Sequence, residues 1–417
     1  MRHFIAISFV LASTQIPSNY ASDWTEFRGS AGQGHAQQVK PAVSWSESEN
    51  ITWKVELPGK GWSSPVVADG HIYVTTAVPG STSSLSLRTM KLKAASGQVV
   101  WDNEVFGIDD LKGVQHHKKN SYASPTPIFR DGHIYVHFGT QGTACLNEAG
   151  DILWKNSDLV YSPVHGGGGS PALSGNRLVI CCDGSDKRFV VGLNSETGQE
   201  VWRTQREFSP SRGFSFSTPT IIDIDGKPVA VCPGSGGVFA YQVETGEQLW
   251  RVNYNQGYSV IPRPVVGHGL IYVCSGFGDS HLLAIDPNGT GDITDDNVRW
   301  KVKKGVPKSP SVILVDESIY MVDDAGIATS VNALTGDVQW QKRLKGKYSA
   351  SPVYAGGHIY FQSETGKTTV VKPGDSLEIV ETNQLGDGKI RTFASFAFDG
   401  DAILLRSETA LYRIETR

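Results

Sequence analysis

The sequence is poor in the features that mark several common protein classes. It has five cysteines in 417 residues, none in a Cys-x-x-Cys pair or a His/Cys spacing, so neither a disulfide-dense scaffold nor a structural zinc site is expected. It has only 3 methionines, and beyond its first dozen residues no apolar run approaches the ~18 needed to cross a bilayer. Nowhere does a capped apolar stripe of period 3.6 appear, which excludes a helix bundle or coiled coil. Charge of one sign is also lacking: 38 Lys and Arg against 42 Asp and Glu leave a net charge of −4, so nucleic acid is not an expected partner. The glycine run after His165 (Gly166 to Gly169) ends without Gly-Lys-Ser/Thr and precedes no helix, so it is not a phosphate loop. No nucleophile elbow and no Ser-His-Asp order stands out.

What is present is turn-rich and strand-rich. There are 46 glycines and 20 prolines, and 39% of residues are hydrophobic, 10% aromatic, enough to bury a large core. The first residues read as an export signal spanning 1–21: Arg2 and His3, the apolar stretch 4–12 (FIAISFVLA), then small and polar residues up to Ala21. With no cysteine near the cleavage point, the expected product is periplasmic or secreted and not a lipoprotein. The cysteines Cys145, Cys181, Cys182, Cys232 and Cys274 sit in apolar runs and read as small buried hydrophobes.

The dominant signal is internal repetition. A unit of roughly forty to fifty residues opens on Ser-Pro or Thr-Pro and an apolar run, and continues through an Asp-Gly turn into a second run. A third run leads to a Thr-Gly or Ser-Gly turn, with a tryptophan a few residues later. The openings are Ser64-Pro65, Ser124-Pro125, Ser170-Pro171, Thr218-Pro219, Arg263-Pro264, Ser309-Pro310 and Ser351-Pro352. The closing tryptophans are Trp101, Trp154, Trp202, Trp250, Trp300 and Trp340, with Ile379 near that place in the seventh unit. Trp53 closes a unit that has no opening, and residues 393–417 open one that has no closing strand. Four Val-, Ile-, Tyr- and Thr-rich runs per unit are strand chemistry. The expected fold is therefore all-β: an eight-bladed β-propeller of four-stranded blades over residues 51–417. Its ring closes by pairing the N-terminal strand with the C-terminal blade, which removes the open seam. Residues 22–50 form a lead-in, and such a ring is expected to be a monomer. The tryptophans, Trp53 included, are expected to dock each blade on its neighbour, each indole burying ~200 Å².

The ten-residue frame ending in Thr-Gly-x-x-x-Trp, as in residues 193–202 and 331–340, resembles the tryptophan-docking repeat of pyrroloquinoline quinone (PQQ) propellers. The segment Trp24-Thr25-Glu26-Phe27-Arg28-Gly29, with Gly32 and Gly34, resembles the lead-in of bacterial PQQ-like propellers. That resemblance spans nearly all of the chain after the signal and implies two alternatives. One is a non-catalytic propeller that binds or scaffolds a protein partner, like the propeller of the outer-membrane β-barrel assembly machinery. The other is a PQQ-dependent dehydrogenase of alcohols or sugars, which uses a catalytic Asp and a calcium ion near the axis. The segments before the openings, where the axis should be lined, contain no Asp or Glu, so no catalytic residue carries over. A vicinal disulfide at Cys181-Cys182, which some quinoproteins have, would distort what reads as a regular strand.

The same segments carry cations and aromatics: Lys60, Trp62, Lys119, Tyr122, Arg212, Arg263, Lys308, Lys347 and Arg391. If these loops share one face of the ring they form a basic, aromatic funnel suited to an anionic small molecule or an acidic peptide, PQQ included. A weaker candidate is a calcium loop at Asp286, Asn288, Thr290 and Asp292, whose alternating oxygens lack the closing Glu.

Overall fold

The computed structural model describes residues 23–81, 83–111, 116–207, 212–254 and 256–416; the export-signal reading lies outside them. The described chain forms eight blades of four antiparallel strands set around an axis, an eight-bladed propeller with almost no helix, in which blades 4 and 7 each gain a two-residue parallel strand, Gly291–Asp292 and His35–Ala36. Blade 1 comprises Val66–Ala68, His71–Pro79, Leu85–Lys93 and Val99–Ile108, from axis to rim. Blades 2 to 7 repeat the order with first strands at Ile128–Arg130, Ala172–Ser174, Thr220–Ile224, Val265–Gly267, Ile313–Val315 and Val353–Ala355. Blade 8 is built from Ala397–Asp399, Ala402–Arg406 and Ala410–Ile414, and Ile51–Glu56 completes it as outermost strand, antiparallel to Ala410–Ile414. The chain ends are thus stitched together by backbone hydrogen bonds.

Every outer strand carries a bulge immediately before its docking position: the ladder skips Thr52, Val100, Leu153, Val201, Leu249, Arg299, Gln339 and Val380. The skipped residue is pushed outward, which is why apolar Val100, Leu153, Val201 and Val380 are exposed. The next residue turns inward onto the following blade. Six of these indoles donate Nε1–H across the blade boundary: Trp53 to Ala94 O, Trp101 to Glu148 O, Trp154 to Ser195 O, Trp202 to Val243 O, Trp300 to Ala333 O and Trp340 to Gly374 O. Trp250 is fully buried. The Thr-Gly glycine serves this docking as well as its own turn. At Gly198 (φ 72°) a Cβ would stand 2.3 Å from the Trp154 ring, and at Gly246 (φ 73°) 2.4 Å from Trp202.

Three details of the repeat differ from the sequence reading. In blades 2 and 6 the opening in register is Thr126-Pro127 and Ser311-Val312, two residues beyond Ser124 and Ser309, because the first strands begin at Ile128 and Ile313. In blade 7 the residue aligned with the tryptophans is Glu381, paired with Val370, not Ile379. The missing indole comes from the lead-in: Trp45 is buried and stacks on Tyr360 at 6.2 Å. The corresponding tyrosines Tyr73, Tyr135, Tyr272 and Tyr320 contact their own blades' tryptophans at 5.8–6.3 Å.

The five cysteines are free. Cys181 and Cys182 lie in an unbroken ladder opposite Val190 and Phe189, so their side chains take opposite faces and no vicinal bond forms.

Candidate functional site

The axis is organised by the residue two before each first strand. The Ser64 amide donates to Thr126 Oγ1, Thr126 to Ser170 Oγ, and Ser170 to Thr218 Oγ1, at 2.9–3.0 Å. On the other side Arg263 donates to Ser311 Oγ, Ser311 to Ser351 Oγ, Ser351 to Ser395 Oγ and Ser395 to Ser64 Oγ, at 2.9–3.1 Å. Seven of the eight junctions are thus closed by a small hydroxyl, which is the physical reason for the recurring Ser or Thr. Between blades 4 and 5 Arg263 replaces the hydroxyl, and Ser217 Oγ bonds Pro262 O instead, at 2.8 Å.

Arg263 points away from the mouth of the axis, so it is not one of the mouth cations. Its guanidinium is buried against the lead-in, donating to Phe27 O at 2.6 Å and pairing with Glu26 Oε1 at 3.2 Å. Residues 24–40 cross the first strands as a strap. Trp24 bonds Val67, Thr25 O accepts from Phe129 N, Gln33 Oε1 from Val266 N, Gly34 O from Tyr354 N, and Asp401 from Lys40 N. This crossing places Phe27 among the belt hydroxyls, where it closes one end of the axis.

The other end opens into a cavity of about 330 Å³. Above Phe27 and the hydroxyl belt its wall is aromatic: Trp62, Phe214, Phe216, Tyr258, Phe277 and Phe393, with His117 and His165. The rings pack on one another, Trp62 on Phe393 at 4.7 Å, Phe214 on Tyr258 at 5.8 Å and His165 on Phe214 at 5.1 Å. Among the described residues the lining has two cations, Lys119 and Arg212, and no carboxylate. Desolvation, then neighbouring His165, Lys118, Lys119 and His116, holds the His117 imidazole below its ordinary pKa and so neutral near pH 7.

The other mouth cations are partly neutralised. Lys60 and Arg391 share Glu408 at 3.3 and 3.4 Å, and Lys119 pairs with Glu364 at 2.6 Å. Arg212 lies over the Tyr258 ring at 4.6 Å and donates to its hydroxyl, while Lys308 lies over Phe277 at 5.4 Å. Arg391 covers Trp62 and Phe393 at 5.6 and 5.0 Å. Lys347 is exposed on the same face, and Tyr122 packs against the core of blades 1 and 2, edge-on to His116 at 4.5 Å.

Sequence reasoning on the opening segments does not reach these acids, because they come from the hairpin tips between second and third strands. Asp324 holds Ser309 Oγ at 2.6 Å and Glu364 holds Ser349 Oγ at 2.7 Å, each 15 residues on from its partner. That equal offset, in Asp-Asp-Ala-Gly and Ser-Glu-Thr-Gly after matching Ile-Tyr strands, is the signal that could have found them.

At the acidic loop, Asp286 pairs with Arg299 at 2.5 Å and accepts from Asn288, while Asp292 pairs with Arg251 at 3.3 Å and accepts from Asn253. Gly291–Asp292 adds a parallel strand to the rim of blade 4. Asp292 thus ties blade 5 to blade 4, while Asp286 braces blade 5's own outer strand. Among the described residues no group of three or more His, Cys, Asp or Glu is placed to hold a metal, and no helix is long and apolar enough to cross a membrane.

The sequence profile of the family described as outer membrane protein assembly factor BamB matches residues 87–326 and 278–411. BamB of Burkholderia pseudomallei is 25% identical over 346 residues, covering 77% of this chain and 78% of that one. Subunit 1 of the methanol dehydrogenase [cytochrome c] of Methylorubrum extorquens is 26% identical over 247 residues, 58% of this chain but 30% of that protein. The match to BamB of Moranella endobia covers 61% of its length. Among solved structures, BamB of Moraxella catarrhalis superposes with a TM-score of 0.62 at 12% identity, covering 88% of this chain and 97% of that one. The quinohemoprotein alcohol dehydrogenase of Comamonas testosteroni gives 0.67 at 12% identity, covering 94% and 80%. These structural likenesses concern the fold alone. The profile, which spans most of the chain, together with the closed ring of tryptophan-docked blades, makes this protein a member of the BamB family of propellers.

Proposed function

We propose that this protein is an exported, non-catalytic binding module of the cell envelope, whose axial cavity receives an anionic group carried on an apolar or aromatic body. The ligand is an acidic, aromatic segment of a protein partner or a small anion of the same chemistry. One observation carries this reading: the cavity is blind at Phe27, walled by aromatic rings and hydroxyls, and its only charged side chains among the described residues are Lys119 and Arg212. Aromatic walls supply contact area at low entropic cost, and two cations in a concave, partly desolvated site fix the orientation of an anion.

The dehydrogenase alternative asks for more than these residues offer. Calcium takes six to eight oxygens, usually with carboxylates among them. This lining presents no carboxylate, and the adjacent Glu364 is engaged by Lys119 and Ser349. A calcium-assisted quinone reaction therefore does not fit the donor set. Retention of a planar anion such as PQQ, without the reaction, does.

The test is fluorescence anisotropy of labelled acidic, aromatic peptides against the chain and its Lys119→Ala/Arg212→Ala variant. Binding that weakens at least about tenfold in the variant, the equivalent of ~1.4 kcal/mol, and weakens further with salt supports the reading. Peptide binding indifferent to both changes rejects it.

A further inference from the structure

A hydroxyl that accepts an amide N–H still has a proton of its own to donate. Off the axis, hydroxyls next to the belt spend that proton on backbone carbonyls: Ser217 on Pro262 at 2.8 Å, Thr220 on Pro264 at 2.9 Å and Thr75 on Pro125 at 3.5 Å. The belt itself does not. Its seven hydroxyls, from Ser64 round to Ser395, accept amides at 2.9–3.1 Å, and among the described residues none of them donates to a protein acceptor. All seven residues are 5% exposed or less, yet all line the axial cavity, at the end that Phe27 closes. The blind end of the cavity is thus ringed by O–H groups whose protons the protein leaves unspent.

A buried hydroxyl proton without an acceptor is unfavourable. An oxygen that accepts an N–H is also polarised into a better donor and a poorer acceptor. A cation or an ammonium group at the belt would leave these protons unpaired, whereas a carbonyl oxygen, with two lone pairs, takes two of them. The belt carries no charge of its own, so a carboxylate buried there would lose its hydration without gaining a cation. The two cations of the lining, Lys119 and Arg212, stand at the mouth. We propose that the belt is a second subsite of the axial cavity, in which a carbonyl oxygen of the ligand accepts from the belt hydroxyls while its anionic end rests at Lys119 and Arg212. The assignment rests on the reading of the cavity as an anion site and narrows it: the ligand carries a carbonyl and an oxyanion at opposite ends of an apolar or aromatic body.

Calorimetric titration of the full chain with two matched probes tests the subsite: 4-acetylphenylacetate, which has both groups, and 4-isopropylphenylacetate, which has a similar outline without the acceptor. The acetyl compound should bind at least about fivefold more tightly. That preference should vanish in Thr126→Val/Thr218→Val, which removes two belt hydroxyls at nearly constant shape. If this variant does not fold, wild-type crystals soaked with the acetyl compound decide: its acetyl oxygen within hydrogen-bond reach of the belt supports the subsite. N-acetylphenylalanine carries the same two groups in peptide form, and whichever of the two acetyl compounds binds more tightly distinguishes a protein segment from a small molecule as the source. Equal binding of the matched probes, both weakened in Lys119→Ala/Arg212→Ala, would leave the anion reading standing and overturn the subsite. A preference that survives in the valine variant, or a carboxylate found at the belt, overturns it as well. Binding of neither probe rejects both readings.

Discussion

Glu408 at the mouth and Glu26 at the floor each hold an arginine, and they do so in different surroundings. Glu408 serves Arg391 and Lys60 at a surface where those side chains are 41% and 63% exposed. Glu26 serves Arg263, which is 3% exposed, and burial raises its carboxyl pKa in spite of the cation beside it. Exposed pairs contribute little and remain free to exchange partners. A buried pair fixes geometry and is costly to half-remove. The floor is thus built to stay closed, and under the proposed function the mouth exchanges its partners for a ligand. The same fold places both along one axis because the opening segment of each blade faces one way and the lead-in crosses the other.

Removing one acid at each end tests that contrast most strongly. Glu26→Ala should lower stability by about 3–5 kcal/mol by leaving Arg263 buried without its partner, whereas Glu408→Ala should lower it by less than ~1 kcal/mol. Urea midpoints measure both, and equal losses would remove the distinction. The strap's second anchor allows a comparable test. Trp45→Ala should match Trp340→Ala at roughly 3–5 kcal/mol, because Trp45 fills the docking role that blade 7 lacks.

The buried imidazole of His137, in blade 2, bears on pH. Desolvation pushes its pKa down to about 4, and its Nδ1 contacts Thr143 Oγ1 at 2.8 Å. The folded state therefore binds this proton less well than the unfolded chain. Stability is full above the ordinary imidazole pKa and falls as pH drops from ~6.5 toward 4, by up to about 3 kcal/mol. In His137→Gln this contribution to the acid slope should be absent from urea titrations across that range. Phe27→Ala, which opens the floor, should weaken anion binding at the mouth roughly tenfold; an unchanged affinity would show that the floor does not shape the site. The smallest effect is expected at Lys60 and Lys347. Their alanine variants should slow association and flatten its salt dependence while leaving affinity within about threefold.

Much of this molecule was legible in its sequence because a repeat reports the same physics eight times. The Ser or Thr at seven of the eight openings, the Thr-Gly turn and the tryptophan are independent samples of one belt, one turn and one docking contact. The split unit at Trp53 and residues 393–417 gave the closure. Single events were harder to read. Nothing local to Trp45 says that it replaces an indole missing more than three hundred residues away. Arg263 occupies a position that elsewhere faces the mouth, and only the strap explains its burial. The mouth acids lie on hairpin tips that share a loop face with the openings through the fold alone. Local periodicity set the blades, while the chemistry of the axis depends on contacts between them.

The central claim is that the mouth binds an anion through its own cations, without a metal. Calorimetric titration of the purified protein with PQQ, with and without calcium, tests it most directly. The account predicts saturable binding at micromolar affinity or tighter, unchanged by calcium and weakened at least about tenfold in Lys119→Ala/Arg212→Ala. The absence of both heat and a Tm shift at ~100 µM ligand would contradict it, because a ligand well above its Kd must stabilise the fold. Binding that appears only with calcium would contradict it equally, by placing in the cavity a metal site that its residues do not provide.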